Sequence, residues 1–257
     1  PLSFAEYIEY YGDNEIEKKY NSYVKNGGFP YLLNLDNDSE LIHNYLEGVY
    51  NTVLLKDVVS RNNIKDTMIL DSITRFLFDS IGQLVSTNKI ANTLVSNNRK
   101  CSVNTVENYL NSLTDSYIVY KISRYDIKGK EYLKTGDKYY VCDLGLRSYL
   151  LGSVKDYGSI LENIIFLELK RRNYNIYIGK CGDGEVDFVV KKDDGIKYIQ
   201  VALSVRDENT LNRELNSLKN INDNYPKYII TLDPEEVDHE GIKQINAIDF
   251  LTGRVDL

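Results

Sequence analysis

Glu185-Val186-Asp187-Phe188-Val189-Val190, then the polar turn Lys192-Asp193-Asp194-Gly195, then Ile196-Lys197-Tyr198-Ile199-Gln200-Val201-Ala202-Leu203: these residues set the architecture of the C-terminal part of the chain. Two runs rich in β-branched and aromatic residues around an Asp-Gly turn read as a β-hairpin. Side chains alternate along a strand, so Glu185 and Asp187 share one face and Val186 and Phe188 the other. On the second strand Tyr198, Gln200 and Ala202 share a face, with Ile199 and Val201 opposite. The hairpin can therefore set Asp187 beside Gln200, on a sheet covered on one side by helices.

Around the hairpin, Ser159–Arg172 has the apolar spacing of a helix, with Ile160, Leu161, Ile164, Ile165 and Leu169. Asn175–Gly179 reads as a strand. Asp207–Ile221 is a second helix, carrying Leu211, Leu215 and Leu218. Lys227–Leu232 is a further strand, and Ile245–Ile248 a fifth. The order over residues 151–257 is αβββαβ.

Upstream, residues 81–150 read differently. A short helix at Asn88–Val95 and a polar turn over residues 96–100 precede a helix N-capped by Ser102, with Val103, Val106, Tyr109, Leu110 and Leu113 as its buried stripe. A strand over Tyr117–Tyr125, a turn at Lys128-Gly129-Lys130 and a returning strand at Lys138–Cys142 follow. Helix, turn, helix and hairpin is the order of a winged helix-turn-helix. Asn104, Asn108 and Asn111 lie on the exposed face of its second helix, where they can touch DNA. Residues 1–80 read as helices. One over Asp38–Ser60 has Leu41, Tyr45, Leu46, Val49, Val53 and Leu54 at helical spacing, and another spans Asp66–Ser80. Gly27-Gly28-Phe29-Pro30 reads as a structural turn, because no GxxxxGK[ST] phosphate cradle occurs anywhere.

The 257 residues carry a net charge of −7, which argues against strong non-specific nucleic-acid binding without excluding a local basic face. No run approaches the ~20 apolar residues of a membrane helix, and Pro1-Leu2-Ser3-Phe4 is no signal peptide. The missing initiator Met reads as the cut end of a longer protein. Three scattered cysteines without a CxxC point to a reducing, cytoplasmic setting. With two histidines, neither in ligand spacing, metal chemistry falls to carboxylates and hence to Mg²⁺ or Mn²⁺ rather than zinc.

The αβββαβ order with Glu162, Glu185-x-Asp187 and Gln200 resembles the PD-(D/E)xK nuclease superfamily. More closely, nearly the whole chain resembles the domain-of-unknown-function family found C-terminal to AAA-type ATPase domains in bacteria and archaea. The stretches that carry this likeness are Pro1-Leu2-Ser3-Phe4, Gly27-Gly28-Phe29-Pro30, Leu55-Lys56-Asp57, Thr105-Val106-x-x-Tyr109-Leu110, Lys138-Tyr139-Tyr140, Asp143-x-Gly145-Leu146-Arg147, Glu162-Asn163, Glu185-Val186-Asp187-Phe188 and Gln200-Val201. The resemblance implies a mixed α/β protein in three parts. These are a helical region (1–80) after an ATPase core that lies upstream, a winged helix-turn-helix (81–150) and a PD-(D/E)xK-like domain (151–257). ATP would then bind only through the upstream domain.

By the same resemblance Glu162, Asp187 and Gln200 fall on the superfamily's catalytic metal positions, and the metal would activate water against a phosphodiester. The chain departs from the motif at its lysine, which is Ala202. Arg206 and Arg213, near or on the following helix, are candidate replacements; an arginine there would pair with the carboxylates and weaken metal binding. Two readings follow. In one, the chain is a regulatory region that binds DNA or a partner protein through a winged helix and a degenerate nuclease fold. In the other, it is a Mg²⁺-dependent nuclease acting on DNA. Ala202 and the acidic charge favour binding, and the intact Glu162, Asp187 and Gln200 set favours the nuclease.

Overall fold

The computed structural model describes residues 1–96, 101–133, 136–152, 156–182, 184–193 and 195–257, the side chains of residues 54 and 55 excepted. Residues 97–100 of the turn expected at 96–100, residue 194 of the later hairpin turn, and the side chain of Leu54 lie outside the described residues. The protein is mixed α/β and divides into two units, Pro1–Lys121 with Lys138–Lys155, and Ile122–Asp137 with Asp156–Leu257.

The first unit opens with α1 (Phe4–Tyr11) and α2 (Ile16–Asn26). The Ser3 hydroxyl accepts from Glu6 N at 3.1 Å and the Glu6 carboxylate accepts from Ser3 N at 2.7 Å, a reciprocal cap that fixes where α1 starts. Phe4 is buried against the rings of Tyr20 and Tyr23. A 3₁₀ turn (Pro30–Asn34) leads to α3 (Ser39–Val49), which runs through a π-helical segment (Tyr50–Val58) into α4 (Val59–Asn62). The long helix expected here exists, but its buried stripe is Ile42, Leu46 and Tyr50, while Leu41 and Val53 are exposed. The wider π turn shifts the phase of the face from Tyr50 onward, so a 3.6-residue count carried across it names Val53 wrongly, whereas Leu41 lies in the first turn of α3, one residue off the Ile42–Leu46 stripe.

Next come α5 (Thr67–Asp79), β1 (Leu84–Val85), α6 (Thr87–Ser96), α7 (Val103–Asp115) and β2 (Val119–Ile122). Ser102 caps α7 as expected, its hydroxyl accepting from Thr105 N at 3.1 Å. Val106, Tyr109, Leu110 and Leu113 are buried; Val103, in the first turn, is exposed. The expected strand Tyr117–Tyr125 is broken. β3 (Arg124–Asp126) and β4 (Glu131–Tyr132) form a hairpin in the second unit, and the chain returns to the first through β5 (Asp137–Val141) and α8 (Leu144–Leu151). The sheet of the first unit has the order β1-β5-β2.

The Gly27-Gly28 turn is structural. Buried Asp143, the N-cap of α8, accepts from Gly28 N at 2.7 Å and from Leu146 N at 3.1 Å. Burial pushes its carboxyl above the ordinary range, against the pull of the N–H groups of Gly28, Leu146 and Gly145. Gly27 has φ +85°, and a Cβ there would stand 2.2 Å from the Asp143 carboxylate.

The second unit contains α9 (Tyr157–Arg171), β6 (Asn175–Cys181), β7 (Gly184–Lys192), β8 (Gly195–Val201), α10 (Glu208–Lys219), β9 (Lys227–Thr231), β10 (Val237–His239), β11 (Ile242–Asn246) and α11 (Ala247–Leu251). The fifth strand therefore ends where the sequence reading placed its middle, and Asn246 caps α11 instead. Its sheet runs β10-β11-β9-β8-β7-β6-β3-β4. β6, β7 and β8 are consecutive antiparallel neighbours, and β8 pairs parallel to β9. Both faces are covered, not one. Phe188 packs on Phe166 of α9, with ring centroids 6.4 Å apart, whereas Val186 and Val189 join a core with Leu215 and Leu218 of α10.

Candidate functional site

A β-bulge positions the site. Tyr177 pairs with Val189 and Gly179 with Val186, so Asp187 and Phe188 together face the single residue Ile178. The extra residue reverses the alternation, which is why Val186 and Phe188, expected on one face, lie on opposite ones. The antiparallel ladder between β7 and β8 runs as far as Phe188 and Ile199. One residue further, side chains take over the pairing. Asp187 N donates to Gln200 Oε1 at 2.6 Å, and Val201 N donates to Asp187 Oδ2 at 2.9 Å.

Gln200 is 5% exposed, and its other end is also held: Nε2 donates to Glu214 Oε2 at 2.9 Å. Glu214 is itself buried on α10, and its second oxygen accepts two bonds from Arg213, at 3.0 Å from Nε and 2.7 Å from Nη2. The Glu214 hydrogen bonds, and to a smaller extent the nearby Asp187 carboxylate, hold the Arg213 guanidinium above its usual pKa. The structure thus brings Asp187 and Gln200 together, as the hairpin register implies, and adds a buried carboxylate with its own cation. Glu162 is half-buried on α9, the helix over the face opposite α10. Among the described residues, no three His, Cys, Asp or Glu side chains converge closely enough to hold a metal ion.

Ala202, where the resemblance would put a lysine, is 8% exposed and packs in the α10-side core. Arg206 turns elsewhere, with Nη2 2.8 Å from Glu235 and Nε 3.5 Å from Asp233. Arg213 is the cation of the network. Sequence reasoning missed Glu214, although the signal was there. Residues 211, 214, 215 and 218 form one helical stripe, and a glutamate among three leucines on a buried stripe needs a polar partner. In the first unit Asn104, Asn108 and Asn111 are exposed along α7.

The family model for a domain of unknown function (DUF8612) matches residues 17–157, more than half of the chain, and the chain belongs to that family. A protein of Haemophilus influenzae that carries the name "Uncharacterized protein" is 40% identical over 98% of this chain and 63% of its own length. One of Methanocaldococcus jannaschii, likewise named uncharacterized, is 30% identical over 81% of this chain and 50% of its own. The chain therefore spans less than two thirds of either relative. No solved structure gives a significant match. No helix among the described residues is long and apolar enough to cross a membrane.

Proposed function

We propose that this chain is the binding and regulatory region of a larger AAA-type ATP-binding protein, built from a winged helix and a degenerate PD-(D/E)xK-like domain, and that it recognises DNA or a partner protein rather than cutting nucleic acid. The observation that carries the reading is the closed Asp187–Gln200–Glu214–Arg213 network. The glutamine at the metal position spends both ends inside the protein, a methyl group stands in for the lysine, and an arginine neutralises the buried acid. The α9-β6-β7-β8-α10-β9 order supports the nuclease-like ancestry. The winged-helix reading is supported by the sequence α5-β1-α6-α7-β2-β5 and its β1-β5-β2 sheet, and the ATPase partner by relatives that extend well beyond this chain.

A divalent cation held by the folded state must stabilise it, by about 2.7 kcal/mol at 100 times its dissociation constant. With Arg213 in place, Mg²⁺ or Mn²⁺ at about 10 mM should leave the melting temperature within about 1 °C of the metal-free value. Single- and double-stranded DNA and RNA should stay intact. A metal-dependent rise in Tm together with cleavage, both lost in Asp187→Ala, would establish the Mg²⁺-dependent nuclease instead. For the α7 surface, replacing Asn104, Asn108 and Asn111 together with alanine should weaken duplex-DNA binding about tenfold or more without moving Tm, since each side chain is exposed. Duplex affinity unchanged in that variant would remove α7 from the DNA-reading role.

A further inference from the structure

On the α10 side of the second unit's sheet, away from the Asp187 network, lies a cleft of about 450 Å³. Its rim is made by the tip of the β3–β4 hairpin, and its far wall by the loop that joins α10 to β9. The tip is rigidly made: the Asp126 carboxylate accepts from Lys128 N and Gly129 N, both at 3.0 Å, which closes the turn and leaves the Lys128 and Lys130 side chains exposed at the rim. Among the described residues neither lysine forms an ion pair. The opposite wall offers Tyr225, 42% exposed, whose ring meets buried Tyr198 edge-on at 6.4 Å. Exposed Asn220 and Asn222 stand beside it.

Asp223, the carboxylate in the lining, is already committed. It accepts from Tyr198 O–H at 2.7 Å and Tyr225 N at 3.1 Å, with Lys227 Nζ 3.6 Å away. The hydrogen bonds fix the wall that carries the Tyr225 ring, and Lys227 offsets the carboxylate's charge. What remains open is two cations, an aromatic face and two amides, on a protein whose net charge is −7.

We propose that this cleft binds an unpaired segment of single-stranded nucleic acid, one base resting on Tyr225 with its edge toward Asn220 and Asn222, and the flanking phosphates on Lys128 and Lys130. An aromatic face accepts any base, and lysines on a hairpin tip follow a backbone without reading sequence. A duplex keeps its bases stacked inside and cannot offer one to the ring. A free nucleotide gains too little here, because no glycine-rich cradle of backbone N–H groups surrounds its phosphates. None of the lining residues belongs to the Asp187 network or to α7, so loss of either of those roles would leave the cleft untouched.

The test is fluorescence anisotropy of the whole chain with a labelled oligothymidylate of about fifteen nucleotides at low salt. The Lys128→Glu/Lys130→Glu variant should bind at least about tenfold more weakly, and Tyr225→Ala about fivefold or more, with Tyr225→Phe close to wild type. Each variant should melt with the wild type. Lys25→Glu/Lys65→Glu, which changes the same charge in the first unit, should bind as wild type does. The proposal is overturned if the wild type shows no binding up to about 100 μM, or if the control double variant loses as much as the hairpin variant. It is also overturned if a duplex of equal length binds as tightly, or if thymidine monophosphate competes at micromolar concentration; the last result would make the cleft a nucleotide pocket.

Discussion

Gly145→Ala should unfold the first unit far more readily than a methyl added at an open glycine, costing about 3 kcal/mol and lowering its melting temperature by about 10 °C. The second residue of α8 passes so close to the end of α2 that an added Cβ would stand 2.0 Å from the carbonyl oxygen of Asn26 and 2.9 Å from Asp143 Oδ1. The first obstacle is backbone, which cannot rotate away as a side-chain tip can. Gly48→Ala provides the contrast. It lies within α3 with open space around its missing Cβ, and should stabilise by about 0.5–1 kcal/mol through reduced freedom of the unfolded chain. Calorimetry of the two variants decides the matter: a Gly145→Ala protein melting with the wild type would mean that α2 and α8 do not approach as described.

Glu214→Ala is expected to cost about 2–3 kcal/mol in chemical denaturation, because it leaves Gln200 Nε2 buried without an acceptor. Glu214→Gln keeps an acceptor oxygen in nearly the same place and should cost about 1 kcal/mol. That ordering separates a hydrogen-bonded network from simple space filling. If the two variants lose equally, the Gln200–Glu214 bond contributes nothing and Gln200 is free to serve another partner. The Gln200→Ala variant adds a check, since it strips Asp187 N of its acceptor and should weaken the hairpin where the ladder already opens.

The αβββαβ succession was legible because each of its elements is set locally. An Asp-Gly turn between two β-branched runs makes a hairpin, and leucines at helical spacing make α10. Asp187 and Gln200 were legible as neighbours for the same reason, since hairpin register follows from the turn. The bulge was not. It depends on how β7 accommodates β6, a relation between residues about ten apart that leaves no trace in alternation, and it moved Phe188 to the opposite face. The strand expected over Tyr117–Tyr125 looked continuous because propensity does not report a change of sheet at Ser123. Val53 reads as inward because a count of 3.6 residues per turn cannot foresee a π segment. Glu214 was readable and was overlooked, a charge on a buried stripe of leucines.

The excursion of residues 122–137 into the second unit has a consequence for how the chain is made and how it can be divided. The β3–β4 hairpin leaves the ribosome some forty residues before β6, the strand it pairs with, so for that interval β3 is an edge without a neighbour. The first unit meanwhile waits for β5 and α8, which follow the hairpin in sequence. Neither unit is one continuous stretch of the gene. A fragment begun near residue 156 would carry the whole α9–α11 region yet bare the flank of β6, and a fragment ended there would keep a hairpin with nothing to lie against. Inheritance of the two halves is tied together by threading, and recombination that exchanged one for another would have to cut the chain in three places at once.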